Sequence, residues 1–107
     1  MRRFISNYTI LSNGDEVINH ITTIDDDGNL ISIKPVEREL GNTVYVPQPL
    51  CIATTSALDQ VEKAFNESAS RRQLRQRLAT INTSNAQQGD PVVVLRLNFA
   101  HNTLTQL

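Results

Sequence analysis

Tryptophan is absent from this 107-residue chain, and the other aromatics amount to three Phe and two Tyr. So few rings argue against a base-stacking surface of the kind that binds single-stranded nucleic acid. Cysteine occurs once, at Cys51, which excludes an internal disulfide and any zinc site built from cysteines. The four glycines form no glycine-rich phosphate loop, and no nucleophile elbow is present. No apolar run approaches the ~18 residues of a membrane-spanning helix. Charge of one sign is also lacking. Ten basic and eleven acidic residues leave a net charge of −1, so no global field draws the chain to nucleic acid or an anionic membrane. Internal repeats and low-complexity segments are missing as well.

What is present is an ordinary globular composition, 39% apolar and 20% charged, of a size suited to one domain with one real core. The opening "MRRFISNYTILSNGDE" has two arginines, but Ser6, Asn7 and Thr9 interrupt the apolar run that a secretory signal needs. A cytoplasmic location is the resulting expectation. The sequons at Asn7, Asn66 and Asn82 then carry little weight.

Hydropathy alternation places strands first. "FISNYTIL" (Phe4 to Leu11) is β-branched and aromatic and ends at Asn13-Gly14, a strong hairpin dipeptide. "VINHITTI" (Val17 to Ile24) resumes the pattern. "LISIK" (Leu30 to Lys34) puts Ile31 and Ile33 on one face, with Ser32 and Lys34 on the other. "TVYV" (Thr43 to Val46) is a short strand with Val44 and Val46 inward, stopped by Pro47 and Pro49. The period then changes. Leu58, Val61 and Phe65 share a helix face, with Ser56 as cap and Asp59 in the first turn. Ser70-Arg71-Arg72-Gln73 reads as a capping box before a Leu74, Leu78, Ile81 stripe. The segment is therefore either two helices broken near 66–70 or one long bent helix. "PVVVLRLNF" (Pro91 to Phe99) is the strongest strand, and "AHNTLTQL" adds a turn and a short last strand. The organisation is a single domain over 1–107, with β hairpins at 3–48, a helical insert at 56–82 and C-terminal β at 91–107. The fold class is α+β: a small, mainly antiparallel sheet with the helical segment packed on it. A small open sandwich is the alternative.

"TTIDDDGNLISI" (Thr22 to Ile33) raises the question of a metal loop. An EF-hand loop needs Gly at position 6 and Glu at position 12. Counting from Asp25 gives Leu30 and Val36 there; counting from Thr23 gives Gly28 and Lys34. Neither register works, and Asp27-Gly28 between apolar runs signals a hairpin. His20 sits in a strand and His101 in the C-terminal turn. With Cys51 they would form a Cys–His pair, but "PLCIATTS" supplies no activating charge. The sharpest charge feature is "SRRQLRQRL", where Arg71, Arg72, Arg75 and Arg77 make an arginine-rich helix able to track phosphates or an acidic partner. Asp59, Glu62 and Glu67 on the preceding helix are its expected counter-charges, which favours a solvated, partly paired face.

"YTILSNGDEVINHITTIDDDGNLISIKP" followed by "NTVYVPQPL" resembles the opening of amidohydrolase-type metal-dependent hydrolases. Tyr8–Gly14, Ile21–Ile33 and Val44–Pro47 look like that family's first three β pieces. "QQGDPVVVLRLN" looks like its C-terminal return. The resemblance covers about half the chain, and it implies a small accessory β domain built from the two ends. The departures are decisive for activity. Pro47 is followed by Gln48 and "PLCIATTS" instead of a His-x-His metal pair. The family's barrel needs ~200 residues or more, and about forty lie between Pro49 and Gly89. No activity, metal or cofactor is carried over.

The expected function is thus a non-enzymatic β-rich domain for protein interaction or self-assembly, possessing no cofactor and no membrane contact, with a protein partner or a second copy as occupant. Val92 and Val94, with Val17 or Ile18, would supply an exposed apolar patch. Binding of nucleic acid or an acidic partner through Arg71, Arg72, Arg75 and Arg77 ranks second. A small enzyme using Cys51 and a histidine ranks third.

Overall fold

The first hairpin forms where the dipeptide demands it. β1 (Arg2–Leu11) turns into β2 (Glu16–Ile24) through Ser12–Asp15, with Gly14 at φ +91° and its N–H donating to Leu11 O at 2.9 Å. Residues with a Cβ resist that φ. A second turn at Asp25–Asn29 leads to β3 (Leu30–Pro35), antiparallel to β2, with Ile31 bulged between the Ile24–Leu30 and Thr23–Ser32 pairs. β4 (Thr43–Tyr45) and β5 (Leu50–Thr54) follow. After a 3-10 turn come α1 (Leu58–Asn66) and α2 (Arg71–Ile81), then β6 (Val92–Asn98) and β7 (Thr103–Gln106). This computed structural model describes residues 1–38, 41–81 and 84–107. Asn82, the last position of the expected helical segment and one of its sequons, lies outside the described residues.

The protein is a compact α+β domain, with a seven-stranded, mostly antiparallel sheet of order β3-β2-β1-β5-β6-β7. Its radius of gyration, 12.7 Å, matches the ~13 Å of one compact unit of this length. β1 is the shared strand. Its N-terminal half (Arg3–Ile5) pairs parallel with β4, and its C-terminal half (Thr9–Leu11) pairs parallel with β5. Antiparallel pairing holds for the hairpins but not for these two strands, because the chain returns to β1 by longer connections rather than tight turns. The sheet also curls. Asn29, at the start of β3, bridges Pro91, just before β6.

The curl creates two cores. One lies between sheet and helices: Ile10, Cys51, Ala53, Val93, Leu95 and Leu97 meet Val61, Phe65, Leu74 and Leu78. The other lies inside the curl, where Phe4, Ile24, Leu30, Val46, Leu50, Ile52, Val92 and Val94 pack together. Val92 and Val94 are therefore buried, not an exposed patch, and only Ile18 of that expected set is more than half exposed. Val44 also departs from expectation: it is exposed at the rim, while Val46 is buried.

Phe4 and Ile10 have the same parity yet belong to opposite cores. An uninterrupted strand cannot do this, since its side-chain period is two. The ladder between β1 and β2 skips Asn7 and Asn19, and Asn19 adopts φ +55°. That irregularity turns the strand's faces over. Asparagine tolerates the left-handed region better than the β-branched residues around it.

Two helices form, broken after Asn66. Gln73 N–H donates to Ser70 Oγ at 3.2 Å, and Gln73 Oε1 accepts from Ala69 N–H at 2.7 Å, a capping box displaced by one residue. Ser56 does not cap α1; its hydroxyl lies 3.2 Å from Thr54 Oγ1, and Ala57 occupies the cap position.

Two substitutions should move stability in opposite directions. A Cβ on Gly14 would stand 2.4 Å from Arg75 O and 3.0 Å from Ala79 N, so Gly14→Ala should cost about 2–3 kcal/mol in urea unfolding. Thr22 is fully buried beside Phe4 with no partner for its hydroxyl among the described residues. Thr22→Val should stabilise by about 1 kcal/mol, and a loss instead would show that the hydroxyl is satisfied.

Candidate functional site

The arginines of α2 divide into engaged and free. Glu16, the first residue of β2, faces α2 with a side chain only 7% exposed, and Arg71 Nε lies 2.8 Å from its Oε2. The contact is an ion pair without hydrogen-bond alignment, because the guanidinium lies over the Tyr8 ring, 3.5 Å from its centroid. Arg75 Nη1 lies 3.6 Å from Glu16 Oε1, and Arg75 Nε donates to Gly14 O at 3.0 Å. Arg77 meets Glu67 at 3.3 Å. Arg72 is exposed and forms no ion pair among the described residues.

The counter-charges differ from those expected. Glu67 contributes, but Asp59 and Glu62 form no ion pair with these arginines, and Glu16 takes two of them. Glu16 is 55 or more positions away in sequence and reaches α2 only because the first hairpin docks there. The Glu16 end of the cluster is sheltered, while the Arg71 and Arg75 side chains stay 36% and 42% exposed and are partly screened by water. The cluster joins the first hairpin to α2.

The aspartate segment is a turn. Asp25 Oδ1 accepts from the N–H groups of Asp27 at 3.0 Å and Asn29 at 2.9 Å, and Gly28 N–H donates to Asp25 O. One carboxylate oxygen thus shapes the loop rather than facing a ligand. Asp26 pairs with the α-amino group of Met1, whose hydrogen bond and charge hold its carboxyl below the usual range. Among the described residues, no three His, Cys, Asp or Glu side chains gather closely enough to hold a metal ion.

Cys51 is fully buried in the helix-side core, and burial pushes its thiol up to about 12. Loss of hydration is the cause; no neighbouring charge or hydrogen bond offsets it. His20 points Nδ1 at Ile18 O, 2.9 Å away, so that nitrogen carries the proton. His101 is exposed in the β6–β7 turn. Neither histidine belongs to the apolar cluster around Cys51.

The sequence reasoning did not single out the surface of β4. Val44 and Tyr45 are 54% and 56% exposed, although β4 is a strand of only three residues. Tyr45 pairs with Ile5, which pairs in turn with Ile21, so the three share the outer face of β4-β1-β2. The cluster under the helices takes only Ile10 from strands β1 to β4. The alternation in "TVYV" puts Tyr45 on the face opposite Val44 and Val46, but a strand this short does not say which face is covered.

No protein-family model, curated protein or solved structure matches the chain. No helix among the described residues is long and apolar enough to cross a membrane.

The Glu16 cluster can be tested by double-mutant cycle. Glu16→Ala should cost about 2–3 kcal/mol, because two guanidinium groups lose their counter-charge, and Arg71→Ala should cost less. A coupling energy near zero between the two changes would show that the pair contributes nothing.

Proposed function

We propose that the protein is a non-enzymatic domain that works by binding another protein chain, most simply a second copy of itself. The observation carrying this reading is the state of the four strands β4-β1-β2-β3. Their outer face holds the exposed Tyr45 beside the half-buried Ile5, and among the described residues β4 and β3 each leave one edge unpaired along most of their length. Elsewhere the described residues bury both faces of β5 over Leu50–Ala53 and of β6 over Val92–Leu95. An exposed tyrosine and open strand edges on an otherwise well-packed domain fit an interface.

The alternatives have less support. Phosphate tracking needs free cations, and Arg71, Arg75 and Arg77 have acidic partners within the domain. A Cys51 nucleophile needs an accessible thiolate, whereas this thiol is dry and held protonated. The likeness to the accessory domain of amidohydrolase-type hydrolases gains support from topology. The C-terminal strand β6 returns to the sheet of the N-terminal hairpins, beside β5 and next to Asn29. In that view the chain is a stand-alone accessory domain, and α1 and α2 occupy the place of the catalytic barrel.

Light scattering coupled to size exclusion tests self-association. The expected result is a mass that rises toward a dimer with concentration. A monomer at the highest soluble concentration would count against self-assembly.

A further inference from the structure

Asn13-Gly14 forms a turn, and it is also the sequence in which an asparagine is chemically most labile. A following glycine has no Cβ to keep its backbone nitrogen away from the carboxamide. The Gly14 nitrogen attacks Asn13 Cγ, a succinimide ring closes, the Cγ–Nδ2 bond breaks and ammonia leaves. Water then opens the ring at either carbonyl and gives aspartate or isoaspartate. The chain holds no second Asn-Gly pair.

The fold ties down each group that this reaction must move. Asn13 Oδ1 accepts from Asp15 N–H at 2.9 Å, and Asn13 Nδ2 donates to Asp15 Oδ2 at 3.0 Å. The attacking nitrogen is engaged as well, donating to Leu11 O at 2.9 Å. Two further bonds anchor the turn to distant parts of the chain. Asn13 N–H donates to Asn85 Oδ1 at 2.9 Å, and Gly14 O accepts from Arg75 Nε at 3.0 Å. Gly14 is buried so closely against α2 that a Cβ on it would stand 2.4 Å from Arg75 O. Ring closure has to break both side-chain bonds and the Gly14–Leu11 bond, in a peptide with no room to turn.

We propose that Asn13 is a conformation-gated deamidation site, protected while the hairpin tip is seated on α2 and reactive when the tip lifts. The product hinders reseating. An aspartate at this position sets a carboxylate against that of Asp15, where an amide donor had stood. Isoaspartate also adds a main-chain atom to a turn that has no space for a single Cβ. The change is one-way, so the deamidated fraction records how often the contact between the first hairpin and α2 has opened. Asp27-Gly28 supplies an internal comparison. Asp27 is exposed, and a Cβ on Gly28 would meet nothing within 4 Å. The same ring closure there expels water instead of ammonia, with no helix seated against it.

Peptide mapping by mass spectrometry of protein aged at neutral pH tests this. The native chain should deamidate at Asn13 about tenfold or more slowly than the chain unfolded in guanidinium chloride, because only the open fraction reacts. Arg75→Ala removes the bond to Gly14 O, and Glu16→Gln weakens the same seat with less change of shape. Whichever of the two keeps the wild-type circular dichroism should speed the native reaction about fivefold or more. Leu104→Ala, on β7 at the far edge of the sheet, should leave the Asn13 rate unchanged. Isomerisation at Asp27 should be the same in every folded variant. Equal Asn13 rates in native and unfolded chain, or no acceleration by either seat variant, would overturn the proposal. So would equal acceleration by Leu104→Ala, which would place the reaction in the globally unfolded chain.

Discussion

Leu50–Ala53 of β5 and Val92–Leu95 of β6 are dry on both faces, and most of the architecture follows from that. Leu50, Ile52, Val92 and Val94 point into the curl of the sheet; Cys51, Ala53, Val93, Leu95 and Leu97 point to the helices. Strands buried twice need cover twice. The helices give one cover. The other comes from the N-terminal strands, which bend round so that Phe4, Ile24 and Leu30 reach the inner face. The change of faces at Asn7 and Asn19 is what lets β1 serve both covers.

The same demand explains the placement of charge. With both faces of the central pair closed, ionisable groups are left to rims and tips. Among the described residues Glu16 is a carboxylate drawn well inward, and it arrives with Arg71 and Arg75 beside it and the Tyr8 ring beneath Arg71. Gly14 completes that contact by bringing its carbonyl to Arg75, where any side chain would collide with the helix. A hairpin tip is thereby seated on a helix by one ion cluster and one missing Cβ.

Much of this was legible in local grammar. Asn13-Gly14 and Asp27-Gly28 marked the hairpins, and Ser70 with Gln73 marked the second helix, since turns and caps depend on adjacent residues. The α+β class and the alternating faces of β6 followed from periodicity. Periodicity separates the two faces of a strand but does not say which is covered, so Val92 and Val94 were assigned to the surface. β5 gave no signal because Leu50–Ala53 is apolar without alternation, as a doubly buried strand is. The parallel partners of β1 and the pairing of Glu16 with α2 depend on contacts between distant residues, which spacing does not encode. Of the site, the arginine cluster was visible as a cluster, but its engagement was not.

The position of β6 in the chain has a consequence for biosynthesis. Both cores take residues from this strand, yet it follows some ninety other residues off the ribosome. Until it arrives, the hairpins, β5 and the two helices present greasy surfaces that nothing yet seals. Native closure is therefore a late event joining distant parts of the chain, the kind of topology that matures slowly and profits from chaperone shelter while it waits.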